Sequence, residues 1–246
     1  MLSKAQIKHI RSLSLQKYRQ EYRQFVVEGE KTSAEWLRSS SSIDLIVAEQ
    51  EWIDQHTGLI AMHQEATLHV AEAAVLSSVS SLKTPNKVLL VVPYDNALTK
   101  APDDEWVILL DGIRDPGNMG SILRIADWFG IKNIVCSKDC VDVHNAKVIQ
   151  AAMGSHLRVR IFEEELANYI EGLQIPVFAA VLNGENIYKM NRPSKAAVII
   201  GNEGAGIRQS IIEKATHKIT IPSQGGAESL NAAVSTGIIC ALLMGR

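Results

Sequence analysis

The sequence is poor in the residues that build disulfide frameworks and metal sites. Its 246 residues include only three cysteines, at positions 136, 140 and 240, and seven histidines. An odd cysteine count without CxxC spacing indicates reduced thiols in a cytosolic protein. The histidines form neither an HExxH pattern nor a cluster with zinc-ligand spacing. We therefore expect no disulfide and no bound metal.

Long apolar runs are also missing. No run approaches the ~20 apolar residues that a membrane-spanning helix needs, and Met1–Arg11 is polar and basic, unlike a secretory signal peptide. Hydrophobic residues make up 46% and charged residues 21% of the chain, which is typical of a water-soluble protein with a large core. These features predict a cytoplasmic protein without a membrane partner.

The net charge of -2 conceals a basic N-terminal segment. Residues 1–24 contain one acid, Glu21, against the cations Lys4, Lys8, Arg11, Lys17, Arg19 and Arg23. Such a segment is either a solvated helix face or a contact with RNA. In the second case Arg11, Lys17, Arg19 and Arg23 bind phosphates.

Strand-like and helix-like segments alternate along the first 95 residues, which predicts a small α/β domain at 1–95. Residues 3–23 have the apolar spacing of one helix, and "TSAEWLRSS" predicts another, capped by Thr32 or Ser33. The segment "PYDNALTKAPDDE" then breaks the pattern with prolines and acids. We place a linker there, at 96–104, followed by a second domain at 105–246.

The second domain has six strand candidates, several of them continuous apolar runs of the kind found in parallel sheets covered by helices on both faces. They are "WVILLDG", "NIVCS", "RVRIF", "VFAAVLNG", "AAVIIGNEG" and "HKITIP". The helical segments between and after them are 118–129, 143–153, 163–172, 207–215 and 228–244. This order predicts an open α/β sheet with five or six mainly parallel strands.

The first glycine-bearing junction of this domain, "DGIRDPGNMGSILR", joins a strand to a helix. Such a position can hold an anion or a ligand, but no GK[ST] follows, so it is not a phosphate-binding P-loop. The alternative is a purely structural role for this junction, in which Asn118 caps the helix and Gly120 allows close packing. Arg124 is explained less well by packing, because it projects near the strand ends where open α/β sheets carry their sites.

Two later junctions also contain glycine. Gly201, Gly204 and Gly206 are spaced G-x-x-G-x-G, the reverse of the dinucleotide fingerprint, which disfavours a nicotinamide enzyme. Glu203 lies in this turn and is either a functional acid or a capping acid near a helix start. The third junction leads into Ser229, either an N-cap or a functional residue, and then into Asn231.

Together the three junctions form an ordered set: N-x-G-x-x-x-R at Asn118–Arg124, I-G-N-E-G-x-G at Ile200–Gly206, and I-P…E-S-L-N at Ile221–Asn231. This set resembles the motifs of the SpoU/TrmH family, AdoMet-dependent RNA ribose 2′-O-methyltransferases of the SPOUT superfamily. The resemblance covers about 104–246. More loosely, "KYRQEYRQFVVEGEKTSAEWL" and "SSLKTPNKVLLVV" resemble the family's L30e-like substrate-binding domain.

The resemblance implies a parallel sheet whose C-terminal segment is threaded as a trefoil knot, and a homodimer with its cofactor sites close to the interface. It implies that S-adenosyl-L-methionine (AdoMet) is held largely by backbone groups at Gly201, Ile221 and Leu230, with Asn202 and Gly206 in the same site. The run "NAAVSTG" departs from the commoner family pattern after the last motif asparagine.

The resemblance further implies which residues act on RNA. The matching catalytic positions are Arg124, Glu203, Asn231, Ser229 and Asn118, with Arg114 as an additional RNA contact. Arg124 is either a general base or a guanidinium clamp on phosphate or ribose; an arginine pKa above ~12 weighs against the first role. The expected substrate is ribosomal RNA rather than tRNA, by family analogy. The alternative is a non-catalytic RNA-binding protein of the same fold.

Overall fold

The computed structural model describes residues 2–82, 84, 86–94 and 100–244, so residues 96–99 of the predicted linker lie outside the described residues. The helices are α1 (Lys4–Ser12), α2 (Gln16–Tyr22), α3 (Glu30–Arg38), α4 (Gln50–Gln55), α5 (Thr57–Ile60), α6 (Ala73–Val79), α7 (Pro116–Trp128), α8 (Ala146–Ala152), α9 (Leu166–Glu171), α10 (Gln209–Ile212) and α11 (Ala232–Met244). The strands are β1 (Gln24–Glu28), β2 (Leu45–Ala48), β3 (Thr67–Val70), β4 (Val88–Pro93), β5 (Val107–Asp111), β6 (Asn133–Cys136), β7 (Arg160–Glu163), β8 (Val177–Asn186), β9 (Ala197–Gly201) and β10 (His217–Thr220). The chain forms two compact units: Met1–Ala97 with His144–Leu157, and Leu98–Val143 with Arg158–Arg246.

The first unit is built on a four-stranded sheet in the order β1-β4-β2-β3. Strands β1 and β2 run antiparallel to β4, and β3 runs parallel to β2. Because successive side chains of a strand point to opposite faces, Phe25 and Val27 enter one apolar cluster while Val26 enters the other. The sheet therefore has a packed core on each face.

The predicted helix over residues 3–23 is wrong, because the chain breaks between α1 and α2. The buried Arg19 side chain explains the break: its Nη1 donates to the carbonyl oxygens of Leu13 and Ser14 at 2.8 and 2.9 Å. These bonds satisfy carbonyl groups that the end of α1 leaves without a helical partner.

The predicted cap of the next helix, Thr32 or Ser33, is also wrong. Helix α3 begins at Glu30, and Gly29 is its N-cap with a φ of 106°, a value that favours glycine. Ser33 lies inside the helix and is buried. Helices α4 and α5 were not predicted; both are short, and short helices carry weak periodicity.

The second unit confirms the predicted α/β fold with a parallel sheet. All six predicted strands form, in the order β10-β8-β9-β5-β6-β7, and every pairing is parallel. The segments β5 and β9 at its centre are buried along almost their whole length. Helix α7 begins earlier than predicted, at Pro116, and α11 begins later, at Ala232.

The pairing of β8 with β10 is interrupted at one point. Lys218 pairs with Ala179, but the next residue, Ile219, pairs with Glu185, so 180–184 bulges from the ladder. Gly184 is needed at this crossing, because a Cβ there would lie 2.5 Å from the backbone carbonyl carbon of Ile219. The bulge turns residues 180–183 toward the cleft described below.

Candidate active site

A cleft of about 730 Å³ lies beyond the carboxyl ends of β9 and β10. Its walls come from four segments, 180–183, 200–207, 219–223 and 227–230, together with side chains of α10 and α11. The volume is within the usual range of small-molecule sites. All five residues predicted to bind a cofactor line this cleft: Gly201, Asn202, Gly206, Ile221 and Leu230.

The turn that follows β9 forms one wall, and its shape depends on Asn202. The backbone groups of Asn202 and Gly206 exchange hydrogen bonds of 3.1 and 2.9 Å. The Asn202 Oδ1 atom accepts from the N–H groups of Gly204 and Ala205, each at 3.0 Å. Gly201 makes the fold possible, since a Cβ there would lie 2.4 Å from the carbonyl carbon of Gly206.

The same turn is anchored to the end of β5 by polar bonds. The Asn202 Nδ2 atom donates to the carbonyl oxygen of Gly112 at 2.9 Å. Arg208 donates from its backbone N–H and from Nε to the two carboxylate oxygens of Asp111, both at 2.7 Å. Asp111 is only 2% exposed, and its bond raises the pKa of the Arg208 guanidinium. A hydrogen bond from Ser137 lowers the pKa of the neighbouring Asp139.

Three predicted catalytic residues from distant segments meet in one chain of hydrogen bonds. Asn231 Nδ2 donates to Asn118 Oδ1 at 2.7 Å, and Asn118 Nδ2 donates to Glu203 Oε1. The direction of the chain is set at the start of α11, where Asn231 Oδ1 accepts from the N–H groups of Ala233 and Val234. Because that oxygen is occupied as a helix cap, the amide nitrogen of Asn231 must face Asn118.

These bonds correct three structural alternatives considered for the motif residues. Asn118 does not cap α7; Asp115 does, accepting from the Asn118 N–H at 2.8 Å. Ser229 does not cap α11, since that role belongs to Asn231. Ser229 is exposed and lines the cleft. Glu203 caps no helix in the described part of the chain, and its carboxylate is held by Asn118 instead.

Arg124 stands apart from this group within its own chain. It lies on α7 with an exposed side chain, and it is not among the residues that line the cleft. Within the described residues its guanidinium forms no hydrogen bond or ion pair, so it is available to a ligand or to another chain. Arg114 is also exposed, with its Nη2 3.7 Å from a carboxylate oxygen of Asp139.

The predicted RNA contacts of the N-terminal segment differ in exposure. Arg11, Lys17 and Arg23 are exposed. Arg11 donates to the carbonyl oxygen of Ser78 at 2.5 Å. The prediction for Arg19 is wrong, because this side chain is 2% exposed and bonds to backbone carbonyls within the unit. Charge alone cannot reveal such a structural arginine.

Sequence reasoning missed the Asp111–Arg208 pair and the environment of Cys140. An acid at the end of the apolar run "WVILLDG" was a usable signal, because a buried carboxylate requires a hydrogen-bonding partner. A hydrogen bond with the Cys136 thiol lowers the pKa of Cys140 to about 7. Burial raises the pKa of Cys240 to about 12.

The described residues contain neither a metal-site arrangement nor a membrane-spanning helix. No group of three or more His, Cys, Asp or Glu side chains there has the arrangement of a metal site. No helix in the same residues is both long enough and apolar enough to cross a bilayer.

The chain matches two family models and several solved structures. The SpoU rRNA methylase family model matches residues 105–241, and the MRM3-like substrate binding domain model matches 4–90. The chain is 29% identical to the 23S rRNA (guanosine(2553)-2′-O)-methyltransferase RlmP of Bacillus subtilis, over 97% of this chain and 96% of that protein.

Two solved structures extend the likeness to the whole fold. A Porphyromonas gingivalis protein assigned to the TrmH family of RNA methyltransferases has a TM-score of 0.86 and 32% identity, over 99% of this chain and 98% of the other. An AdoMet-bound rRNA methyltransferase from Sinorhizobium meliloti has a TM-score of 0.85 and 27% identity, over 99% of this chain and 95% of the other. With the SpoU model covering more than half of its length, the chain belongs to the SpoU rRNA methylase family.

Proposed function

We propose that this protein transfers a methyl group from AdoMet to a ribose 2′-hydroxyl of ribosomal RNA. The observation that carries the proposal has two parts: the second and third motif segments line one cleft, and all three motif segments meet in one hydrogen-bond chain, Asn231–Asn118–Glu203. Family membership gives the reaction class, and the rRNA methyltransferases named above favour rRNA over tRNA as the substrate.

The cleft suits AdoMet in its shape and its chemistry. Gly201 and Gly206 bring the backbone close to the space, while Ile221 and Leu230 offer apolar surface for an adenine ring. In this proposal the backbone groups of Gly201, Ile221 and Leu230 hold the cofactor. Asn202 contributes through the shape of the turn, because its side-chain amide is already bonded on both sides.

When bound, AdoMet supplies a methyl group on a positively charged sulfur that is open to in-line displacement by an oxygen. The protein must then align the ribose hydroxyl, and the proton that the hydroxyl loses passes to the free Glu203 carboxylate oxygen or to water. Asn118 fixes one oxygen of the Glu203 carboxylate and leaves the other able to accept a bond from the hydroxyl or from an arginine. Ser229 at the cleft wall serves as a second positioning group. Alignment of this kind can supply up to roughly 7–11 kcal/mol in favourable systems.

We assign Arg124 the role of a guanidinium clamp on the phosphate or ribose of the substrate. A planar guanidinium binds phosphate through paired hydrogen bonds and retains its proton in proteins. Because Arg124 lies outside the cleft of its own chain, we propose that it acts in a homodimer, at the cleft of the second copy. Arg114, also exposed, is a further phosphate contact in this scheme.

The surface near α11 supports the homodimer. This helix contains no charged residue, yet Val234 is 50% exposed. Trp128, at the end of the neighbouring helix α7, is 85% exposed. A helix that is apolar on all sides is normally covered on all sides. A second copy of the chain placed against α7 and α11 would cover both side chains.

The remaining features of the proposal follow the family resemblance. Residues 1–95 form an L30e-like domain that selects the RNA, 96–104 a linker, and 105–246 the catalytic domain, apart from His144–Leu157, which belongs to the first compact unit. The C-terminal segment is threaded as a trefoil knot, an arrangement consistent with the packing of α11 against both α7 and β9. A cytoplasmic location is part of this proposal, and the similarity to a bacterial rRNA methyltransferase supports it.

Methyl transfer to rRNA from cells that lack this protein tests the proposal. Purified protein, this rRNA and methyl-labelled AdoMet should yield label in alkali-resistant dinucleotides, because a 2′-O-methyl group blocks cleavage at its own phosphate. RNA from cells that contain the protein should accept little label. Tight RNA binding without incorporation would instead support the non-catalytic RNA-binding protein of the same fold.

A further inference from the structure

Helix α2 of the first unit carries two aromatic rings in a stacked arrangement. The rings of Tyr18 and Tyr22 are separated by 6.1 Å between centroids, with 12° between their planes. Tyr22 is 43% exposed, whereas Tyr18 is more enclosed. Among the described residues neither hydroxyl has a hydrogen-bond partner. The outer ring therefore presents aromatic surface to solvent with a second ring behind it.

A polar chain from the sheet holds the outer ring in place. The carboxylate of Asp44 accepts from Gln24 Nε2 at 2.5 Å, and Gln24 Oε1 lies 2.7 Å from His9 Nε2. Since the amide nitrogen of Gln24 faces the carboxylate, its oxygen accepts and His9 Nε2 donates. The His9 ring then meets Tyr22 edge-on, 4.6 Å between centroids and 63° between planes. An exposed aromatic side chain supported this way is oriented before any ligand arrives.

One cation lies beside the tyrosine pair. Lys17 Nζ lies 5.7 Å from the centre of the Tyr18 ring. Lys8 and Arg23 are also exposed within residues 1–24, where Glu21 is the only acid, and the Arg23 guanidinium lies 5.4 Å from the centre of the Tyr94 ring. The buried Arg19 is not part of this surface. Cations beside exposed aromatic rings are the combination that proteins use for unpaired nucleic acid, where rings stack on bases and cations neutralise phosphates.

We infer that Tyr22, backed by Tyr18, is a stacking platform for one unpaired nucleobase of the RNA substrate. The inference rests on the proposed function, and it names a chemical feature of the target: a loop, bulge or single-stranded nucleotide in the substrate RNA. Duplex RNA would gain nothing from the platform, because its bases are already stacked. Lys17 beside the platform adds a phosphate contact that does not distinguish paired from unpaired RNA.

The test compares single-stranded and duplex RNA binding by the full chain. The probes are a fluorescein-labelled 12-nucleotide RNA of mixed sequence, its duplex with the complementary strand, and the same single strand carrying 2-aminopurine. Tyr22→Leu removes the aromatic ring but keeps an apolar side chain, and Tyr22→Phe keeps the ring. Leu15→Ala is the matched control, because it shortens an apolar side chain that is 59% exposed and carries no ring. Thermal unfolding of each variant checks that it folds.

Tyr22→Leu should weaken single-strand binding by roughly fivefold or more, since base stacking on an aromatic ring contributes about 1–3 kcal/mol. Tyr22→Phe and Leu15→Ala should stay within twofold of wild type, and duplex binding should be unchanged in all variants. The fluorescence of 2-aminopurine should be quenched only by the proteins that retain the ring at position 22. Wild-type affinity in Tyr22→Leu, or an equal loss for the duplex, would overturn the inference.

Methyl transfer to rRNA, measured in parallel, separates the two proposals. If wild-type protein methylates rRNA while Tyr22→Leu binds single strands normally, the stacking platform is wrong and the enzyme assignment stands. If wild-type protein transfers no methyl group, the proposed function fails regardless of the oligonucleotide result.

Discussion

Replacing Asn118 by aspartate is the sharpest perturbation of the proposed catalytic centre. The side chain keeps its shape and one oxygen that can accept from Asn231, but it loses the N–H group that donates to Glu203. Two carboxyl groups then face each other in place of an amide and a carboxylate. Asn118 is 9% exposed, so water screens the contact only in part.

The size of the effect follows from Coulomb's law. Two unit charges about 3 Å apart repel by about 1.4 kcal/mol in bulk water and about 5 kcal/mol at an effective dielectric constant of about 20. With Glu203 exposed and Asn118 buried, we expect about 2–4 kcal/mol. That repulsion raises the pKa of the introduced carboxyl above its usual range, because ionising it places a second negative charge beside Glu203. If the whole repulsion is added to the activation free energy, methyl transfer slows by about 30- to 900-fold at pH values where both groups are ionised.

The pH dependence gives this prediction its test. Below the raised pKa the introduced carboxyl is protonated, and it donates to Glu203 as the amide did. The ratio of Asn118→Asp to wild-type methyl transfer should therefore rise as pH falls from about 8 to about 5.5. Asn118→Ala, which has no proton to regain, should show a flat ratio. A flat ratio for Asn118→Asp, or a wild-type rate at pH 8, would refute the role assigned to this hydrogen bond.

Three further predictions concern the cleft and its supports. Gly201→Ala should lower AdoMet affinity at least tenfold by calorimetry, because the added Cβ would lie 2.4 Å from backbone across the turn, whereas Gly225→Ala, with nothing within 4 Å, should bind normally. Arg208→Ala should lower the free energy of unfolding in urea by about 1–3 kcal/mol, since it leaves the buried Asp111 carboxylate without its cation; an unchanged midpoint would contradict this. Cys140, with its pKa lowered to about 7, should react with iodoacetamide at a rate that rises through pH 7 as the thiolate forms, and Cys140→Ser should remove that phase.

The strands of the second unit were predictable because buried parallel strands are continuous apolar runs. Each of the six candidates became a strand, with β8 extending to Asn186; the two edge strands, β7 and β10, are less apolar and only partly buried. Helix starts were less predictable, since several polar residues near a start can serve as the cap. Asp115 rather than Asn118, and Asn231 rather than Ser229, reach the free N–H groups of α7 and α11.

The candidate site was predictable in position but not in its bonds. Motif order placed three segments at one edge of the sheet, and the cleft is lined by the predicted cofactor residues. The individual hydrogen bonds join residues that are far apart in the sequence. Asn118 and Asn231 are separated by 113 residues, Asn118 and Glu203 by 85, and Asp111 and Arg208 by 97. Local pattern contains no information about such pairs, which is also why the burial of Arg19 was missed.

The most direct test of the central claim measures product identity and cofactor affinity together, for wild-type protein and Arg124→Ala. Digested rRNA is examined by nucleoside mass spectrometry, and AdoMet binding is measured by calorimetry. We predict 2′-O-methylnucleosides with wild-type protein and none with Arg124→Ala, whose AdoMet affinity stays within a few-fold. Methylation on a base instead of the ribose, or a variant that retains most of the wild-type rate, would contradict the account.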